Sequence, residues 1–288
     1  MPSPPILSRG GSVACSAIRP QGSPNLEQHG LAEQPLHPGA TRRAPLRWWR
    51  EVILIAVFYG AYSAVRDIHG NKPVSVFRAA TNAKRVISLE KLLGAFQEAR
   101  VQGWFIGNRP FMKFWDAYYG TTHFAAVVAV LLLLFFRYPE RYRLWRNTLA
   151  ATTALALIGF EFFPLLPPRL LPASYHFVDT LKTIGGLWDF ENGPVNAVSN
   201  QYAAMPSLHT AWSAWCAMAV IGLVRPWWGK LLLLLYPLGT IFGIVVTGNH
   251  YFADVAGGLL ILGVGYGLAE LFTPWMDRRR TAHRLART

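Results

Sequence analysis

The sequence predicts an all-α membrane protein built as a bundle of six transmembrane helices. Of its 288 residues, 52% are hydrophobic and only 15% are charged. The apolar residues are not spread evenly but cluster in blocks long enough to span a bilayer. Only helices and closed barrels satisfy their backbone hydrogen bonds inside lipid, so each block is predicted to be helical.

The predicted spans follow a polar N-terminal segment. Residues 1–46 are rich in Pro, Gly, Ser and Gln, which predicts a disordered cytoplasmic tail. One membrane domain is expected over 47–273, followed by a basic cytoplasmic tail at 274–288. The two cysteines, Cys15 and Cys216, lie in the tail and in a span, so no disulfide is expected. The six spans are Trp48–Val65, Phe114–Phe136, Leu149–Leu166, Pro206–Val224, Lys230–Val246 and Tyr251–Phe272.

Basic residues predict the orientation of these spans. The net charge of +13 would suggest a nucleic-acid partner in a soluble chain, but much of it lies in short clusters beside the apolar blocks. Such clusters favour the cytoplasmic side of a membrane. We therefore expect both termini to be cytoplasmic, a place in the cell (plasma) membrane and no nucleic-acid partner. The clusters are Arg42, Arg43, Arg47 and Arg50, the stretch 137–146, the pair Arg225 and Lys230, and the tail at 274–288.

The segment 72–113 departs from this charge rule. It carries eight Lys or Arg residues although the orientation puts it outside the cytoplasm. Its apolar and basic residues fall on different faces of a helix, which predicts an interfacial amphipathic helix. A soluble cap that packs on the spans is the alternative. The apolar stripe is Val86, Leu89, Leu93 and Phe96, and the polar residues are Lys84, Arg85, Lys91 and Arg100.

Unusual polar residues gather at the predicted outer ends of three spans, in "FPLLPPRLLP" (163–172), "AAMPSLHTA" (203–211) and "TGNHYFADVAGG" (247–258). His250 and Asp254 are one helical turn apart, so the carboxylate can fix the imidazole tautomer and leave the other ring nitrogen free. His209 follows Ser207 at a predicted helix start, where free N–H groups attract anions. Arg169 follows two prolines, and its guanidinium suits the oxygens of a phosphate.

Together these groups predict a phosphoryl-transfer site on the extracytoplasmic side. His250 would attack phosphorus to give a phosphohistidine, and His209 would protonate the departing oxygen and later deprotonate the acceptor. Arg169 and the helix start would hold the developing negative charge. Two alternatives stay open. The polar groups can be purely structural, or two histidines and a carboxylate can form a metal-binding facial triad, although the arginine would repel a cation.

Over about residues 48–272 the chain resembles the type 2 phosphatidic acid phosphatase superfamily. "MPSLHTA" and "GNHYFAD" resemble its second and third motifs, and "PLLPPRLLP" resembles the first motif of the inositolphosphorylceramide synthase, or inositolphosphotransferase-like, branch. The resemblance implies a six-helix bundle, a membrane lipid substrate and chemistry without a metal or other cofactor. It also implies roles for particular residues: His250 as nucleophile, Asp254 as its partner, His209 as acid and base, and Arg169, Ser207 and Asn249 as phosphate-binding residues.

Two departures from the phosphatase motifs point to the synthase branch. The phosphatases have a lysine seven residues before the arginine, where this chain has Phe162, and a Ser-Arg pair where it has Gly243 and Ile244. The resemblance therefore implies a phosphotransferase of the inositolphosphotransferase type. A lipid phosphate phosphatase of the same superfamily is one alternative. A non-catalytic lipid-binding or transport protein is another.

Further polar residues occur near the same predicted face. Asp116, Tyr119 and His123 lie at the outer end of the second span and can line a headgroup pocket, with structural packing as the alternative. Glu161 can bind a headgroup hydroxyl or pair with Arg169, and we favour the pairing. The small residues of "GGLLILGVGYG" (257–267) are typical of a helix-packing surface.

Overall fold

A computed structural model describes residues 47–49, 51–57, 60, 76–185 and 202–285, with residues 276–285 described by their backbone alone. The predicted tail at 1–46, with Cys15, lies outside the described residues, as do part of the first predicted span and the stretch 186–201. Regular structure in the described ranges is helical, apart from an isolated bridge between Leu165 and Ala203.

Residues 51–57 are helical and belong to the first predicted span. Two short 3-10 turns, Pro168–Leu170 and Ala173–Tyr175, interrupt the connection after the fourth helix below. The helices that follow residue 75 are α1 (Val76–Leu92), α2 (Glu98–Phe105), α3 (Arg109–Arg137), α4 (Pro139–Phe162), α5 (Thr180–Thr183), α6 (Leu208–Ile221), α7 (Trp227–Val246) and α8 (Phe252–Leu285).

Three of these helices are long and apolar enough to cross a membrane: α3, α7 and the Phe252–Trp275 part of α8. They correspond to the second, fifth and sixth predicted spans, and Tyr251, the predicted first residue of the sixth, lies just before α8. Helix α6 is also apolar, but its 14 residues rise only about 21 Å, which is less than the hydrocarbon thickness of a bilayer. The helical fold of the described residues and three candidate membrane-spanning helices are therefore confirmed, and the total of six spans stays a prediction.

Helix α4 begins well before the predicted third span, at Pro139 instead of Leu149. Its first turns contain Arg143 and Arg146, which are buried. Arg146 Nη1 donates to Glu51 in a buried ion pair with the first helical segment. Hydropathy alone put the boundary after these arginines, because it cannot show that a buried charge has found a partner.

Glycines bring α8 close to its neighbours. A Cβ on Gly258 would lie 2.4 Å from the carbonyl oxygen of Ser207, which directly precedes α6. A Cβ on Gly265 would lie 2.4 Å from Thr152 Oγ1 on α4. Both positions therefore require glycine for this approach, so the predicted helix-packing role is confirmed at these glycines of the stretch 257–267 but not at all of them. Gly263, on the same helix, has nothing within 4 Å of its Cβ position.

We expect Gly258→Ala to lower the melting temperature and Gly263→Ala to leave it unchanged or raise it. The added methyl of the first variant meets backbone that cannot yield, and such overpacking costs about 1–3 kcal/mol. The second methyl meets no neighbour, and alanine is the better helix former. Thermal unfolding of both variants in one detergent checks this. Equal shifts for the two would mean that the close approach does not govern stability.

Helix α1 packs against Leu165 and the start of α8, and α2 follows it after a short link. Gly94, with φ 68°, follows the end of α1, and α2 begins only at Glu98. Leu93 and Phe96 thus lie in the link, so the predicted apolar stripe does not lie on one helix. Helix α1 buries Ala79, Ala83, Val86 and Ile87 in a cluster with Leu165, Leu166 and Tyr251, which matches the alternative of a cap packed on the spans. Its contact with lipid stays a prediction.

Candidate active site

His250 and Asp254 lie together at the start of α8. His250 Nδ1 donates to Asp254 Oδ2 at 3.1 Å, and the Tyr251 backbone N–H donates to the same oxygen at 2.9 Å. Both side chains are buried. With its proton on Nδ1, the imidazole keeps the lone pair on Nε2. The predicted contact between these two residues is confirmed.

The chain reverses before His250 because Gly248 adopts a left-handed conformation, with φ 69°. This conformation is the usual end of a helix at a glycine. The N–H groups of Asn249 and His250 both donate to the carbonyl of Ile244, at 3.0 and 3.1 Å, which completes the end of α7. The sequence "TGNH" therefore fixes where the histidine leaves one helix and approaches the next.

Imidazole rings from three helix regions converge beside this pair. The centroid of the His209 ring, on α6, is 5.5 Å from that of His250. His209 stacks on Tyr119 of α3, with centroids 4.3 Å apart and 20° between the planes. The His123 ring is 4.2 Å from His209, and its Nδ1 donates to the Tyr119 carbonyl at 3.1 Å. Tyr119 and His123, predicted as pocket residues, thus border His209.

The starts of α6 and α8 are bonded directly to each other. The Ser207 backbone N–H donates to the Asp254 carbonyl at 3.1 Å. Ser207 is the N-cap of α6, and its Oγ accepts from the Thr210 N–H at 3.3 Å. This link fixes His209 relative to His250. The capping role of Ser207 is confirmed, and its phosphate-binding role stays a prediction.

Arg169 is tied to the residues that precede His250. Its backbone N–H donates to the Gly248 carbonyl at 2.8 Å, and its Nε donates to Asn249 Oδ1 at 3.0 Å. Asn249 Nδ2 in turn donates to Thr247 Oγ1 at 2.8 Å, which fixes the amide orientation. Arg169 Nη1 forms an ion pair with Asp179 at 2.8 Å. The guanidinium is therefore held in place before any ligand binds.

Of the two other predicted pocket residues, Asp116 is buried and Glu161 is exposed. Asp116 is buried and accepts from Thr180 Oγ1 at 2.7 Å, while its second oxygen has no partner among the described residues. Glu161 is exposed, and Arg169 pairs with Asp179 instead. The predicted pairing of Glu161 with Arg169 was wrong, because Glu161 lies in the last turn of α4 with its side chain on the outside of the bundle.

Several polar residues of this region were not predicted from the sequence. Asp179 caps α5, a pattern that an Asp before "TLKT" indicates, but its contact with Arg169 leaves no local trace. Gln102 exchanges two hydrogen bonds with the backbone of Val178, the residue before Asp179, and so holds that segment in place. Glu90 and Glu98 reach the start of α8 from more than 150 residues away in the chain, as their spacing from Phe252 and Ala253 shows.

The predicted alternative of a metal triad has no matching geometry in the described part of the chain. No group of three or more His, Cys, Asp or Glu residues there is arranged to hold a metal ion. Asp254 Oδ2 is directed to His250 Nδ1 and to the Tyr251 N–H, so it does not join the two imidazoles as a third ligand.

A comparison with family models matches residues 84–268, more than half of the chain, to the PAP2 superfamily. The chain belongs to the PAP2 superfamily. Membership indicates a phosphatase-type membrane enzyme that acts on lipid phosphates, as a phosphatase or a phosphotransferase. Searches of curated proteins and of solved structures gave no match. The PAP2 superfamily match begins within α1, ends within α8 and includes Arg169, His209 and His250.

Proposed function

We propose that this PAP2 superfamily protein is a membrane phosphotransferase that works through a phosphohistidine on His250, in the manner of the inositolphosphotransferase-like branch. The observation that carries the proposal is the separation of the His209 and His250 rings, 5.5 Å between centroids, with Asp254 bonded to the second ring. That separation is on the scale of one phosphoryl group. Arg169 is bonded to the residue that precedes His250.

The reaction proceeds in two displacements. The lone pair of His250 Nε2 attacks phosphorus, the bond from phosphorus to the leaving oxygen breaks, and protonated His209 gives that oxygen its proton. Asp254 stabilises the ring that now carries phosphorus and a proton. In the second step the acceptor hydroxyl loses its proton to His209 and attacks phosphorus. The bond from Nε2 to phosphorus then breaks, which restores both histidines.

Phosphate oxygens are bound by Arg169, Asn249 and the capped start of α6 at Ser207. A guanidinium and helix N–H groups are suitable donors to the equatorial oxygens in the transition state. Asp116, Tyr119 and His123 line the side from which the headgroup approaches. Asp116 and His123 are buried and Tyr119 is partly buried, which supports a pocket sheltered from water, although Tyr119 and His123 also support the His209 ring.

The assignment to the transferase branch is supported by the two departures from the phosphatase motifs. Ile244 is buried, and a Cβ on Gly243 would lie 2.8 Å from the Trp115 ring, so α7 has no room for a longer side chain at position 243. Phe162 is exposed at the end of α4. Apolar residues, Phe162 and Ile244, thus stand at the positions where the phosphatases carry cations.

We also propose a membrane topology for the chain. Six spans, with both termini in the cytoplasm, put the starts of α6 and α8 on the extracytoplasmic side of the plasma membrane. The basic clusters beside the apolar blocks support this orientation. The substrate is then a lipid of the outer leaflet, and α1 covers the site from the water.

The test is an assay of the purified full-length protein with phosphatidylinositol labelled in its headgroup, with and without a ceramide acceptor. We expect a new labelled lipid only when the acceptor is present, and no loss of activity in a chelator. Labelled phosphatidic acid, assayed in parallel, distinguishes the phosphatase alternative by release of inorganic phosphate. Binding of both lipids without turnover of either would support the lipid-binding alternative and contradict an enzyme.

A further inference from the structure

Three buried carboxyl groups meet the first turn of α8, directly after His250. The backbone N–H groups of three successive residues each donate to a different carboxyl: Tyr251 to Asp254 at 2.9 Å, Phe252 to Glu98 at 3.0 Å and Ala253 to Glu90 at 2.7 Å. The first N–H groups of a helix have no partner within the helix. These three bonds therefore complete the start of α8.

Glu90 and Glu98 come from different helices, α1 and α2, and are 2% and 0% exposed. One oxygen of each accepts from the start of α8, and the second oxygen of each has no donor partner elsewhere in the described chain. The two side chains lie within hydrogen-bonding reach of each other. Two carboxylates cannot bond, whereas a carboxylic acid donates to a carboxylate. The arrangement therefore fits one proton between the two groups.

We propose that Glu90 and Glu98 hold a single proton between them and act as positioning residues for His250, through the first turn of α8. This inference rests on the proposed function, because it assigns the pair to the placement of the nucleophile. The pair acts through the amides of Phe252 and Ala253, which follow His250 directly in the chain. It also acts through Asp254, which lies on the same turn and bonds to the imidazole.

The charges around the pair explain why one proton is retained. Burial raises the pKa of Glu90 to about 8, and the hydrogen bond with Glu98 and repulsion by Glu98 and Asp254 add to the effect, against the bond from Ala253. The ionisable groups that face Glu90 are Glu98 on α2, Asp254 on α8 and the Tyr251 hydroxyl, which also interacts with Tyr175. At neutral pH Glu90 thus retains its proton, which limits the repulsion among the three carboxyl groups.

This protonation links stability to pH with a definite sign. The folded pKa of Glu90 is above the ordinary value of 4.5. Its contribution to stability is therefore fully present below pH 4.5 and is lost as the pH rises through about 8. Above that pH Glu90 is ionised and is repelled by the neighbouring carboxyl groups of Glu98 and Asp254. Glutamine at position 90 retains an acceptor for Ala253 and a donor for Glu98 but cannot ionise.

The first experiment measures the melting temperature of the full-length protein in one detergent, from below pH 4.5 to above pH 8. We expect the melting temperature of Glu90→Gln to rise above that of the wild type by an amount that grows with pH. Glu98→Gln should behave in the same way, because this substitution also leaves at most one charge on the pair of residues 90 and 98. Glu161→Gln is the matched control, since Glu161 is exposed on the outside of the bundle in the last turn of α4. It should follow the wild type at every pH.

The second experiment measures kcat on the phosphatidylinositol substrate over the same pH range. We expect Glu90→Gln to retain kcat at neutral pH and to keep it at higher pH than the wild type. Glu90→Ala, which removes the acceptor for Ala253, should lose on the order of 10²-fold through displacement of the nucleophile. If the pair were purely structural, its substitution would lower the melting temperature but would not move the alkaline limb of the profile of kcat against pH.

Either of two results overturns the inference. One is a melting temperature of the Glu90→Gln variant that equals the wild-type value, or lies below it by a constant amount, across the whole pH range. The other is a folded Glu90→Ala variant with wild-type kcat. If the alanine variant does not fold, the glutamine variants still decide. If no lipid is turned over, the proposed function fails, but the melting temperatures still show whether the pair shares a proton.

Discussion

The His250→Asn variant is expected to lose turnover by about 10⁴-fold or more, which is the usual effect of removing a nucleophile. The asparagine amide nitrogen takes the place of Nδ1 and can donate to Asp254, whereas nothing replaces the Nε2 lone pair. The variant therefore separates the chemistry of the ring from its structural bond to Asp254. Steady-state assays on labelled lipid, with size-exclusion chromatography to check folding, measure the effect.

The matched control for this variant is His176→Asn. His176 is an exposed residue with φ 62°, a conformation that asparagine adopts readily, so the same chemical change is made away from the site. We expect this control to retain wild-type activity. Equal turnover in the two variants would remove His250 from the reaction and favour the lipid-binding alternative.

His209→Asn is expected to lose about 10²–10⁴-fold in turnover of a natural lipid substrate, because the leaving alcohol then departs without a proton. A substrate with a p-nitrophenol leaving group needs no such proton. In the first turnover the variant should therefore still release a burst of p-nitrophenol and form the phosphohistidine. Subsequent turnovers should be slow, because no base activates the acceptor.

Rapid-mixing measurements of p-nitrophenol release follow both phases of this reaction. The wild type should show little difference between the first and later turnovers, and His176→Asn should match it. A His209→Asn variant that loses the burst together with the later turnovers would contradict the role of His209 as acid and base. It would instead assign this ring to the support of His250, through their contact.

Several features of the fold and of the candidate site were predicted from short sequence patterns. The four-residue spacing predicted the hydrogen bond between His250 and Asp254, but the two do not share a helical face, because α8 begins only at Phe252. Asp254 instead reaches back from the first turn of α8 to the Tyr251 N–H and to the His250 ring. Ser207 was likewise recognised as a cap from its place before an apolar helix. Membrane-length apolar blocks marked α3, α7 and α8. Each of these features depends on only a few neighbouring residues.

Contacts between distant segments were not predictable in the same way. The partner of Arg169 is Asp179 and not Glu161, because the chain turns between the end of α4 and the arginine. Helix α4 begins before the boundary predicted from hydropathy, because Arg146 in its first turns is buried in an ion pair with Glu51. Glu90 and Glu98 carry no motif, and only the folded arrangement brings them to the start of α8.

The ion pair between Arg169 and Asp179 bears on which anions the protein can turn over. A carboxylate already neutralises the guanidinium, so a small dissolved anion gains little by replacing it. A lipid substrate that binds Arg169 as proposed is, in contrast, retained by its acyl chains in the bilayer, so its concentration near the guanidinium is high. Competition from an internal carboxylate would in this way favour membrane-anchored esters over the free phosphate of the surrounding medium.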